Sequence, residues 1–279
     1  MSEYDKTLTI QQALDLAVRH HNEGRLSQAE RIYHQVLHSE PNQPTALHLL
    51  GVISCQMGKI NTAINLISKA LQITPEFAEA HNNLGLLQHD ACRLDDAVMN
   101  YRKALAIKPD YAKAHSNLLL AEQYRPQQDA QTLYRLHRRW EENHGTLFHG
   151  SWPKHANTPI PDRRLRVGFV SADLRRHPVG YFLVGVIENL PADKIQTLIY
   201  CDNLSDDLTE KIRAASDEWR YIGGLSDQSL AAMIVNDEID ILIDLAGHSA
   251  NNRLSVFSRK PAPLQITWAG YTGTTGLSA

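Results

Sequence analysis

Cysteine is scarce: Cys55, Cys92 and Cys201 are the three among 279 residues. They are too few and too scattered for a disulfide framework or a thiolate zinc site. No run approaches the ~20 apolar residues that cross a bilayer. The amino-terminal MSEYDKTLTI lacks the basic-then-apolar pattern of a secretory signal. A basic excess is missing too, since 28 Lys and Arg face 31 Asp and Glu for a net charge of -3. That balance argues against nucleic acid as a partner. The sequence holds no GxGxxG, no Walker lysine, no nucleophile elbow and no metal-ligand spacing. These absences predict a reduced, cytoplasmic protein with no membrane span, no metal and no bound cofactor. What is present suits a globular chain, with 43% hydrophobic and 21% charged residues. At ~150 residues per domain, its length predicts about two.

The first half is organised by a repeat. Pro41, Pro75 and Pro109 are 34 residues apart, as are Ala29, Ala63 and Ala97, and Leu26, Ile60 and Leu94. Gly24 and Gly58 share the spacing, with Cys92 in the third copy; Gly51 and Gly85 match Ala17. Each unit reads as two helices joined by a short turn. Small residues let the paired backbones approach, glycine accepts the positive φ of the turn, and proline ends the second helix. The pattern resembles the tetratricopeptide repeat, with copies near 10–43, 44–77 and 78–111 and a partial one over 112–125. The helix 131–144 then reads as a cap, and 126–164 as cap plus linker. Stacked units of this kind form a solenoid with a groove. Asn83 and Asn117 occupy equivalent first-helix positions, where a side-chain amide can clamp an acceptor peptide; Asp15 and Leu49 replace them in the other copies.

From Leu165 the pattern changes to apolar strand-length runs separated by helices, namely 165–172, 196–202, 240–247 and 264–270. The intervening helices are expected at 179–190, 208–219, 229–239 and 252–260. This alternation predicts an α/β Rossmann-like lobe over 165–279 with a mainly parallel sheet. Ligands of such sheets meet the loops leaving the strands' carboxyl ends. Three of these loops are chemically distinctive: DLRRHPVGY (173–181), AGHSANNR (246–253) and AGYTGTTG (269–276). Each also has a plain reading. A loop histidine is commonly just solvated, Ser249 or Asn251 could cap a helix, and the Gly/Thr stretch could be a flexible tail. Arg163, Arg164, Arg166, Arg175 and Arg176 read as a solvated face or as a site attracting phosphate or acidic partners.

RVGFVSADLRRHPVGYF and IDLAGHSANNRLSVFSRKPAPLQITWAGYTGTTGLSA, following tetratricopeptide repeats, resemble the protein O-GlcNAc transferase/SPINDLY family. The likeness is greatest to its bacterial, SPINDLY-like members. The resemblance implies inverting transfer of a sugar from a nucleotide donor to Ser or Thr of acceptor proteins. The donor is UDP-GlcNAc or another nucleotide sugar, since the family includes GlcNAc and fucose transfer. By resemblance His177 is the catalytic candidate, as a base or as a group positioning the acceptor. Gly270, Tyr271 and Thr272 would line the sugar pocket, and His248 and Arg253 would contact donor or acceptor. Acceptor proteins or peptides would lie in the repeat groove.

Family members have a second lobe that holds most of the nucleotide, and this sequence ends at Ala279. The expectation is therefore a first lobe truncated before the second, with little or no transferase activity by itself. The competing class is a non-catalytic tetratricopeptide protein-interaction module.

Overall fold

The computed structural model describes residues 8–160 and 162–279, arranged as two compact units, residues 1–121 and 122–279. The first contains α1 (Ile10–Asn22), α2 (Leu26–Ser39), α3 (Pro44–Gln56), α4 (Ile60–Ile73), α5 (Ala78–Asp90) and α6 (Leu94–Ile107). α7 (Ala112–Gln123) crosses the division between the units. The helices pair as α1 with α2, α3 with α4 and α5 with α6, as the repeat demands. Ala17, Ala29, Ala63 and Ala97 are fully buried at the pairings. A side chain at Gly51 would meet Ile67, and one at Gly85 the Tyr101 ring. The turns adopt φ 75° at Gly24 and Gly58, and Cys92 takes the same left-handed region at φ 58°. The second helices stop two residues before Pro41, Pro75 and Pro109, because the residue preceding proline is steered out of the helical region.

The second unit begins with α8 (Ala130–His144) and a 3-10 turn (Thr146–Ser151). Asp129 caps α8 by accepting from the Thr132 N–H at 2.8 Å. The alternation then runs β1 (Leu165–Ser171), α9 (Pro178–Ile187), β2 (Ile195–Cys201), α10 (Asp207–Ala215), β3 (Glu218–Tyr221), α11 (Asp227–Asn236), β4 (Ile241–Asp244), α12 (Leu254–Phe257) and β5 (Leu264–Thr267). All four strand pairings are parallel, in the order β3-β2-β1-β4-β5. One face buries Phe169, Leu183, Ile199 and Ile212 with α9 and α10; the other buries Leu198, Leu230, Ile234 and Phe257 with α11 and α12.

One local expectation is corrected. The helix expected over 208–219 ends at Ala215, and 218–221 form the edge strand β3. Asp217 turns the chain there by accepting from the Thr197 N–H (2.8 Å) and hydroxyl (3.0 Å). The stretch read as a linker is tied to the α/β lobe at three residues. Trp152 Nε1 donates to the Ser258 carbonyl at 2.9 Å, Asn157 Nδ2 donates to Asp240 at 2.6 Å, and Arg163 pairs with Asp240. A helix forms where the cap was expected, at Ala130–His144, and its His137, Arg138 and Glu141 bond to Tyr271, Gly276 and Ser278 after β5, within the second unit.

Candidate functional site

The strand order fixes where the distinctive loops go. β1 lies between β2 and β4, and β4 between β1 and β5, so the loops after β1, β4 and β5 leave the same carboxyl rim. The connections depart from β1 in opposite directions, which creates a topological switch point between β1 and β4.

His177 is the N-cap of α9, with Pro178 at the first helical position. Its Nδ1 accepts from the Val179 N–H at 3.3 Å. A neutral ring in this arrangement carries its proton on Nε2. The ring is half-buried.

The β4 loop is built around Asp244, which sequence reasoning overlooked. Its carboxylate is fully buried and accepts from the N–H groups of Ala246 (3.0 Å) and Gly247 (2.8 Å) and from the Thr267 hydroxyl (3.1 Å). Burial pushes this carboxyl above its ordinary range, against the pull of those donors. An acid within the apolar run ILIDLAG was the available signal. α12 has Arg253 at its N-cap position with no side-chain capping bond, so neither Ser249 nor Asn251 caps it, and Asn252 Oδ1 accepts from the Leu254 N–H at 3.3 Å.

Two of the expected contact residues have structural employment. His248 is completely buried, and its Nε2 donates to the Thr275 carbonyl at 2.9 Å. Its ring packs 5.1 Å from His137, 5.4 Å from Trp140 and 5.6 Å from Tyr271, which takes it out of reach of a ligand in this conformation. Arg253 donates through Nη1 to the Leu225 carbonyl and Asp227, and through Nη2 to Asp202 and the Ile222 carbonyl. It binds the ends of β2 and β3 and the start of α11 together.

Helix α8 shapes the Gly/Thr turn. His137 Nδ1 donates to the Leu133 carbonyl at 2.6 Å, so Nε2 accepts from the Tyr271 hydroxyl at 2.8 Å. Burial lowers the His137 pKa and keeps this ring neutral. Arg138 donates to the Gly276 carbonyl at 2.8 Å, and Ser278 donates to Glu141 through its N–H at 2.7 Å and its hydroxyl at 2.5 Å. Tyr271 thus spends its hydroxyl on α8, while Thr272 is exposed. Gly270 has a steric reason to be glycine, because a Cβ there would run into the Leu245 carbonyl.

The basic cluster resolves into intramolecular pairs. Arg163 pairs with Asp240, Arg164 with Asp217, Arg166 with Glu218, Arg175 with Asp173 and Arg176 with Asp207. Among the described residues no group of three or more His, Cys, Asp or Glu is placed to hold a metal ion. No described helix is long and apolar enough to cross a membrane.

In the first unit the asparagines bond to one another across repeats. Asn117 Nδ2 donates to Asn82 Oδ1 (2.9 Å), Asn82 Nδ2 to Asn83 Oδ1 (3.2 Å), and Asn83 Nδ2 to His48 Nε2 (2.8 Å). Asn83 and Asn117 stay half-buried, each with one amide N–H beyond those bonds. Burial holds the His48 pKa down at about 4, against the pull of Glu79, so its Nε2 is free to accept.

Fold and rim together define a tetratricopeptide protein carrying a Rossmann-like α/β lobe. The profile of glycosyl transferase family 41 matches residues 142–279, and tetratricopeptide-repeat profiles match 53–91 and 78–111. The proteins of Hordeum vulgare and Solanum lycopersicum named "Probable UDP-N-acetylglucosamine--peptide N-acetylglucosaminyltransferase SPINDLY" are 35% and 34% identical over 58% and 57% of this chain. The matched part is 18% of each relative's length. A solved mutant of Thermobaculum terrenum O-GlcNAc transferase is 36% identical, with a TM-score of 0.87 over 99% of this chain and 53% of its own. The chain is of the O-GlcNAc transferase/SPINDLY-like family.

Proposed function

We propose that this chain serves protein O-linked glycosylation, with GlcNAc moved from a nucleotide donor to Ser or Thr of acceptor proteins. In that reaction the acceptor oxygen attacks the anomeric carbon, the bond from that carbon to the diphosphate breaks, and the diphosphate leaves with the electron pair. The acceptor's proton must also find a base. The observation that carries the reading is the shared carboxyl rim of the loops after β1, β4 and β5, in a chain similar to an O-GlcNAc transferase over nearly its whole length.

Within that rim His177 is the group for the acceptor. With its proton on Nε2 it donates to and orients a substrate oxygen; acting as the base requires the ring to release the Val179 N–H first. The Gly270–Thr272 backbone offers hydrogen-bond partners to the sugar. The amides of Asn83 and Asn117 hold the acceptor chain through their spare N–H groups. Diphosphate stabilisation needs cations, and Arg253 is already committed to carboxylates and carbonyls. The 279 residues alone are therefore expected to bind substrate but turn it over poorly.

The test is to mix the protein with UDP-GlcNAc and a Ser/Thr-rich polypeptide, following binding by saturation-transfer NMR and product by intact mass. Saturable nucleotide-sugar binding weakened by His177→Ala supports the reading. No such binding, with polypeptide binding retained, overturns it in favour of an interaction module. Robust transfer by this chain alone contradicts the expected poor turnover.

A further inference from the structure

Helix α9 is apolar all round. Its sequence, PVGYFLVGVI, carries no charge and a single polar side chain, Tyr181. A helix of that composition belongs between two layers. Val179, Leu183, Val184 and Ile187 press onto the sheet, yet Tyr181 and Phe182 on the outward side are 59% and 58% exposed. One turn along, Gly185 has nothing within 4 Å of where a Cβ would sit, so another surface can approach the helix closely there.

The sheet has the opposite shortage. On the face held by α9 and α10, Ile241 and Ile243 of β4 are only partly buried. Register places Leu264 beside Ile241 and Ile266 beside Ile243, so their side chains leave the same face. Trp268 continues that alternation, its N–H donating to the Asp244 carbonyl at 2.9 Å. Leu264, Ile266 and Trp268 are 51%, 43% and 39% exposed. Parallel sheets are covered on both faces, and here the helical cover stops short of β5.

The two shortages fit each other. The exposed side chains of α9 and β5 present roughly 550 Å² of mostly apolar surface, near the upper end for a protein that works alone. Homodimer interfaces are about 65% apolar, so this patch would form the core of one covering roughly 800 Å² per copy, the standard size for a stable complex. A helix layer is about 10 Å thick, which makes the bare strands beside α9 a step one helix deep. A two-fold axis lays each copy's α9 in the other's step, and every contact is made twice.

We propose that two copies of this chain pair through the α/β lobe, with the Tyr181, Phe182 and Gly185 side of α9 in each lying on β4 and β5 of the other. The proposal goes beyond glycosyl transfer and does not depend on it.

The test is sedimentation velocity of the 279-residue protein over a concentration series. The expected result is a reversible dimer with a micromolar or lower dissociation constant. Phe182→Glu and Ile266→Lys alter exposed side chains, so both variants keep the fold, checked by the far-ultraviolet spectrum. Each alone should weaken pairing at least about tenfold. Mixed in equal amounts, they should pair again, because one contact of the mixed dimer sets Glu against Lys and the other is that of the parent. A monomer at every concentration would overturn the proposal and leave this face to a partner of another kind. Parent affinity in both variants, or a mixture that stays monomeric, would overturn it as well.

Discussion

Cys92 shows how one residue can sit against its own backbone. It occupies the turn position that Gly24 and Gly58 fill in the other repeats, at φ 58°, where a Cβ crowds the backbone. Cys92→Gly should raise stability by about 0.5–1 kcal/mol, read as a higher urea midpoint; an unchanged or lower midpoint contradicts that account. His48 gives a pH dependence. Its folded pKa of about 4 lies below the ordinary 6.5. The neutral ring's contribution is thus complete above pH 6.5 and is lost as pH falls towards 4, where the unfolded chain takes up a proton that the folded ring refuses. The loss amounts to at most roughly 3 kcal/mol. His48→Gln should flatten unfolding stability across that window, whereas an unchanged slope would point to another group. The turn glycines, the buried alanines and the position of His177 before Pro178 were legible in the sequence, because each follows from local backbone geometry. The burial of His248 and the commitment of Arg253 were not. Their partners Thr275, Asp202 and Asp227 lie 26 to 51 positions away, and only the fold brings them together.

At the level of elements, hydrophobic period located the helices and four of the five strands. Strand β3 escaped because EWRY is short, charged and partly exposed at the sheet edge, so it continued the pattern of α10. The role of α8 escaped for a different reason: its amphipathic face identifies a helix but not its partner. Its residues His137, Arg138 and Glu141 fix the strap over Tyr271–Ser278. Tyr271→Phe leaves the His137 acceptor without its donor and should cost about 1–3 kcal/mol. The expected observation is a lowered denaturation midpoint for the second unit, with secondary structure retained in the far-ultraviolet spectrum. A variant as stable as the parent would remove α8 from the account of the rim.

For the whole molecule, two regular units were legible, while the chemistry of the rim was reachable only through the likeness of two segments to a family. This chain spans about half of the solved transferase it resembles and about a fifth of its curated plant relatives. The central claim concerns the sheet's carboxyl rim as the place where a nucleotide sugar is met. Hydrogen–deuterium exchange of the protein with and without UDP-GlcNAc tests it most directly. The account predicts slowed exchange in the segments around His177 and Gly270–Thr272, diminished in His177→Ala. Slowed exchange confined to the tetratricopeptide helices, or no change anywhere at saturating ligand, would contradict it.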